Sequence, residues 1–157
     1  MSDMSASRKP DFGILLLLAD QEFVRELRAS LAAQGFDEQG RSDGFVLRSV
    51  GANPMTISAL AERLEISKQG AGQIVDDMES RGYVERHPDP TDGRARLIHL
   101  SERGQAALAA ARKFHQTYER HLRKEHGDAA IDAVRAVLTS MAGEPQTTDP
   151  HFRALMF

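Results

Sequence analysis

The chain has no cysteine, which excludes disulfides and thiolate nucleophiles and is what a cytoplasmic protein is expected to show. It has no long hydrophobic run. The most apolar stretch, residues 12–19, falls far short of a membrane-spanning helix, and no secretory leader or membrane partner is expected. No glycine-rich phosphate loop is present, and no serine sits in a strand-turn-helix nucleophile context. Enzymatic chemistry is therefore not expected, nor is a bound cofactor. A general excess of positive charge is missing too. The formal net charge is −3 over 157 residues, and across 55–100 neither sign dominates, so any polyanionic partner must be met by local placement of cations. There is no internal repeat and no low-complexity linker. The length suits one domain.

Residues 55–100 carry most of the information. Ile57, Leu60, Ala61 and Leu64 recur at the spacing that lines one face of an α-helix. Thr56 precedes them as an N-cap. Ala71, Ile74, Val75 and Met78 repeat the spacing, with Ser67 as a second N-cap and Gly82 as the stop. Only Glu65 and Ile66 separate the two segments. So short a connection forces the helices to cross and share a core, with Ile66 expected to plug the corner.

After Gly82 the period shortens. Residues 83–86 and 96–100 read as short strands around a polar stretch, 87–95, that contains Pro88, Pro90, Asp92 and Gly93. The result is a hairpin with a long tip, expected to be a flexible bend that ends in Arg94. Helix, turn, helix and β-wing in that order form a shape suited to entering a DNA groove and gripping its flank.

The segments ISALAERLEISKQGAGQIVDDMESRGYVER and DPTDGRARLIHLSERG resemble the MarR family of bacterial transcription regulators. The likeness is strong over 55–104 and rests elsewhere on helical character alone. It implies a fold that is mainly α with a small β-wing: a winged helix-turn-helix core flanked by N- and C-terminal dimerisation helices. It further implies a homodimer on double-stranded DNA, at a pseudo-palindromic operator. Recognition helix 67–81 would lie in the major groove and wing 87–95 in the minor groove. Relatives commonly repress a nearby promoter and release it when a small-molecule effector binds. The thiol-oxidation switch of some relatives is excluded here by the lack of cysteine. Many relatives carry Arg where this chain has Gln73 and Asp77. That difference implies weaker binding and a shallower salt dependence.

The DNA-binding candidates follow from position. Lys68, Gln69, Gly72, Gln73 and Asp76 fall opposite the apolar stripe of the second helix. Glutamine pairs with an adenine edge and aspartate accepts from cytosine N4, so Gln69 and Gln73 come first for base edges and Asp76 third. Thr56, Ser67 and Lys68 suit phosphates. Gly70 and Gly72 fit a close approach of backbone to DNA. Arg94 is placed for a narrow minor groove, with Asp92 able to hold its side chain, and Arg96 at the strand base for a phosphate. Each glutamine also fits an ordinary solvated surface, and Arg94 a simple pair with Asp92.

The flanks divide into a tail (1–10), N-terminal helices (11–54), C-terminal helices (101–143) and a second tail (144–157). Phe12, Leu15, Leu16, Ala19, Phe23, Leu27 and Leu31 trace one stripe, and Ile14, Leu17, Leu18 and Val24 make the opposite side apolar. A helix apolar on both sides calls for a partner subunit. A short helix is expected at 45–50. A long one, capped by Ser101 and Glu102, should begin near Arg103, and a last one, after Gly127, carries Ile131, Val134, Val137, Leu138 and Met141. Relatives often bind aromatic acids in a cleft between reading head and dimer helices, and Leu16, Phe45, Arg48 and Tyr118 are the candidates implied here. Two alternatives remain. One is a protein-interaction module without DNA affinity. The other is a metal-responsive regulator using His115, Glu119 and His121, although their surroundings also read as a salt-bridged helix surface and no metal site is expected.

Overall fold

The computed structural model describes residues 9–40 and 42–143. The first eight residues and the tail with its HFRALMF ending lie outside the described residues. Among the described residues, six helices and one sheet run in the order α1 (Phe12–Ala32), α2 (Asp43–Ala52), α3 (Ile57–Leu64), α4 (Lys68–Ser80), β1 (Val84–Pro88), β2 (Arg96–Leu100), α5 (Glu102–His126) and α6 (Asp128–Ala142). The expected mainly helical fold with a small β-wing is present. The chain divides into two compact units: α1 belongs to the first, which ends at Asp37, and every later element to the second.

Local signals account for the helix starts. The Thr56 hydroxyl accepts from the Ala59 N–H at 3.2 Å, and the Ser67 hydroxyl from the Gly70 N–H at 3.0 Å. Ser101 does the same for Gly104. Each satisfies an N–H that the first helical turn leaves unpaired. The α3–α4 turn is made by Glu65, which holds the left-handed conformation at φ 53° and so reverses the chain within two residues. Ile66 is half-buried at this corner.

One core holds the second unit together. Leu60 and Leu64 of α3, Ala71, Val75 and Met78 of α4, and Val46, Leu47 and Val50 of α2 are all buried, as are Tyr83, Val84 and Ile98. Fully burying an aliphatic side chain of this kind contributes roughly 1.5–3 kcal/mol. Helix α2 is longer than the expected 45–50 because its Asp43 end is fastened by ion pairing, described below. It packs on α3, β2 and α5.

The hairpin is antiparallel, with Val84 opposite Leu100 and Pro88 opposite Arg96. Tyr83, expected in the first strand, precedes it. His87 and Pro88, expected in the tip, belong to β1, which leaves residues 89–95 as the tip. Proline is tolerated at Pro88 because it occupies the last rung of the ladder. Met55 adds a third short pairing. Its carbonyl accepts from the Ile98 N–H at 2.8 Å, which ties the entrance of α3 to the wing. At the base of the hairpin, the Ser101 N–H donates to the Tyr83 carbonyl at 3.1 Å and the Ser101 hydroxyl donates to the Gly82 carbonyl at 2.5 Å. A Cβ on Gly104 would lie 2.0 Å from the Tyr83 carbonyl oxygen. Only glycine fits there.

Candidate nucleic-acid interface

Helix α4 buries Ala71, Val75 and Met78, so the opposite side faces outward. Lys68, Gln69 and Gln73 are exposed there and Gly72 is half-exposed. These are the residues that spacing placed on that face. Gly72 has open space around it, whereas a Cβ on Gly70 would press on the Ser67 hydroxyl at 3.2 Å. Gly70 therefore has a packing reason of its own, which Gly72 lacks. Thr56 and Ser67 both stand at helix N-termini, where N–H groups and the helix dipole favour anions.

The acidic residues of α4 face partners within the protein. Asp76 and Glu79 are both bound by the guanidinium of Arg86 on β1. Asp76, placed third for a base edge, is thus engaged by the wing. Asp77, at a position where many relatives carry Arg, pairs with Arg81. The Arg81 guanidinium also donates to Asp43 at 2.6 Å and to the Glu38 carbonyl. The Asp43 side chain is only 4% exposed and that of Arg81 13%. The hydrogen bond that Arg81 donates to Asp43 dominates in holding its pKa well above the ordinary guanidinium value. These acids are each engaged by Arg81 or Arg86, and no described carboxylate pairs with Lys68 or Arg94. The local electrostatics of the reading face are therefore more favourable to phosphate than the net charge indicates.

At the wing tip Arg94 is exposed. Asp92 does not hold its side chain. Its carboxylate accepts from the Arg94 main-chain N–H at 3.0 Å, an Asx turn that shapes the backbone and leaves the guanidinium outward. Asp89 makes a second such turn, accepting from the Thr91 N–H at 2.8 Å and the Thr91 hydroxyl at 2.7 Å. These bonds hold its carboxyl below the usual range. The Asp89 N–H donates to the Ala95 carbonyl. The tip is thus a hydrogen-bonded loop rather than the loose bend expected. Arg96 stands beside the tip, opposite Pro88, and not at the strand base. Its guanidinium donates to the Arg86 carbonyl at 3.3 Å.

The effector candidates are less concentrated. Leu16 lies on α1, in the first unit. Phe45 and Arg48 are half-buried on α2, and Tyr118 is half-buried on α5, where its ring lies 5.6 Å from that of Phe114. Burial, and then the nearby Arg112, push the Arg48 pKa down; burial, and then Arg48, lower that of His115. A cleft of about 380 Å³ opens nearby between the end of α2 (Val50, Gly51), Pro54, Leu100 and α5 (Leu108, Arg112). It contains none of the four candidates. Arg112 links it to Arg48. Sequence patterning missed it because its walls come from segments far apart in the chain. The His115, Glu119 and His121 set does not assemble. Glu119 accepts from Arg123 at 2.8 Å and from Arg135 at 2.9 Å, and no group of three metal-ligating side chains converges among the described residues.

Comparison with known proteins follows the same lines. The MarR family model matches residues 41–95. The chain is 34% identical over 103 residues to the HTH-type transcriptional regulator MT0903.1 of Mycobacterium tuberculosis, covering 66% of this chain and 71% of that protein. It is 28% identical over 110 residues to ExpG of Rhizobium meliloti, an exopolysaccharide II synthesis transcriptional activator, covering 70% of this chain and 56% of the relative. Just over half of that relative is therefore spanned. Among solved structures, the transcriptional repressor CouR bound to a 23-mer DNA duplex aligns with a TM-score of 0.65 at 26% identity, over 85% of this chain and 93% of that one. A cysteine-to-serine mutant of MarR from E. coli, complexed with operator DNA, shares the fold with a TM-score of 0.63 at 24% identity, over 82% and 91%. The sequence motif, the winged fold and these matches agree: the chain belongs to the MarR family of transcriptional regulators.

Proposed function

We propose that the protein acts as a cytoplasmic homodimer that binds a pseudo-palindromic DNA operator, represses transcription there and releases the DNA when a small-molecule effector binds. In this reading α4 enters the major groove, with Gln69 and Gln73 at base edges. Thr56, Ser67, Lys68 and Arg96 contact phosphates, Gly72 admits the backbone, and Arg94 enters the minor groove. The observation that carries the proposal is the exposed Lys68, Gln69, Gly72, Gln73 face beside a wing whose Arg94 guanidinium points outward. Dimerisation is supported by apolar residues left half-exposed on α1 and on α6, among them Leu17 at 52% and Met141 at 55%. An effector is supported by the cleft at the end of α2 and by the cationic Arg48 and Arg112 beside it; Leu16, Phe45 and Tyr118 are the further candidates.

The test is selection of duplexes from a randomised library by the wild-type protein, followed by binding measurements with variants. A palindromic consensus is expected. Gln73→Ala should relax preference at one base pair of each half-site, a loss of about 1–3 kcal/mol of discrimination. Arg94→Ala should weaken binding about tenfold, most on A·T-rich flanks. Recovery of no enriched sequence at low ionic strength would reject the proposal.

A further inference from the structure

Arg86 takes no part in the DNA contacts proposed above, yet its side chain reaches from β1 to two residues of α4. Its guanidinium donates through one terminal nitrogen to Glu79 and through the other to Asp76. The two acids are three residues apart and so lie on the same face of the helix. The Arg86 side chain is 22% exposed. Its own carbonyl receives the Arg96 guanidinium, which brings β2 into the same assembly.

We propose that Arg86 is a positioning residue for groove binding: its two-point clasp on Asp76 and Glu79 fixes the angle between α4 and the wing, and thereby sets where Arg94 arrives. This rests on the DNA-binding reading above. Three residues, 81–83, join α4 to β1, and among them Gly82 holds φ +77°, so the connection is a short pivot. The Met55 pairing and the buried Val84 and Ile98 anchor the base of the hairpin, which leaves its outer half, toward the tip, to be oriented by Arg86. A planar guanidinium held at both ends defines an orientation. The lever is long. The tip lies several residues beyond Arg86, roughly 13 Å along the strand, so a tilt of about 10° displaces Arg94 by about 2 Å, enough to break a hydrogen bond. The clasp is not itself a phosphate site, because one guanidinium between two carboxylates leaves that side of α4 with excess negative charge.

The absence of native cysteine allows a direct test. Spin labels at Gly93→Cys and Lys113→Cys, in protein diluted with unlabelled chain, report the distance from tip to α5 without DNA. Arg86→Met should broaden that distribution, and Arg86→Lys, which can hold one acid, should restore part of it. On a duplex selected by the wild-type protein, Arg86→Met should weaken binding about tenfold. Adding Arg94→Ala to it should then cost less than twofold, whereas adding Gln73→Ala should cost its full factor. An unchanged distance distribution overturns the proposal, as does an Arg94→Ala cost that survives in full in the Arg86→Met background. If the wild-type protein selects no duplex while the distance still responds to Arg86, the groove-binding reading falls and the wing-fixing role stands.

Discussion

The winged segment and the last helix handle apolar side chains in opposite ways. In residues 55–100 the large aliphatic residues turn inward: Leu60, Leu64, Val75, Met78 and Ile98 are all buried, and what faces outward is polar. In α6 only Ile131 is buried, while Val134, Val137, Leu138 and Met141 are each about half-exposed. Beside Ile131, the polar side of α6 is tied to α5 by ion pairs. Arg123 of α5 donates to Asp128 at 3.2 Å and to Asp132 at 2.9 Å, and Arg135 reaches back to Glu119. Such an open apolar row is what the proposed dimer would cover. Helix α1 shows the same habit through Phe12, Ile14, Leu15, Leu17 and Leu18. The winged part buries its large apolar residues within one chain; the helical flanks leave theirs half-exposed.

That contrast can be broken most sharply at Gly104, where the winged part has no slack. Gly104→Ala places a methyl group on the Tyr83 carbonyl and should cost about 3 kcal/mol or more, read as a collapse of the urea midpoint. Next is the open side. Leu17→Glu combined with Leu138→Glu should shift a dimer to monomer in sedimentation equilibrium. Each lost leucine contact should cost about 1.5–3 kcal/mol of association, and the unfolding of the winged segment should change little. A dimer of unchanged strength would refute the assignment of those faces.

Smaller effects sharpen the picture within α4. Ser67→Ala removes the cap on Gly70 and should lower stability by about 1 kcal/mol. Gly72→Ala should raise it by about 1 kcal/mol, because nothing lies within 4 Å of the new methyl, while weakening DNA binding. A gain in both would show that no backbone approaches DNA there. The smallest effect concerns His115. Its folded pKa is depressed, chiefly by burial and then by Arg48, so the fold favours the neutral ring. The associated stability is present above the ordinary histidine pKa and is lost as pH falls through it toward the lowered value. His115→Gln should therefore flatten the decline of the melting temperature between about pH 7 and 5, while leaving other acid-sensitive terms in place.

What the sequence disclosed was local. Thr56, Ser67 and Ser101 announce helix starts because a cap acts over three residues, and the buried rows of α3 and α4 follow from helical period alone. Gln69 and Gln73 emerge exposed for the same reason. Glu65 in the left-handed region was not legible, since glutamate carries no preference for it and the short connection imposes it. Pro88 reads as a breaker in one dimension and is accepted because it ends the ladder. Arg81 and Arg86 were silent because their partners, Asp43 and the Asp76 and Glu79 pair, are chosen by tertiary placement. The same holds for the cleft at Val50 and Leu108, whose walls meet only after folding.

The Asx turns at Asp89 and Asp92 carry a kinetic consequence. A fingertip already shaped by its own carboxylates surrenders little conformational freedom when it meets a duplex. Encounter, rather than ordering of the loop, should then govern how quickly the protein finds its site, and the rate of arrival should respond to ionic strength more than to changes in tip sequence that preserve those two aspartates.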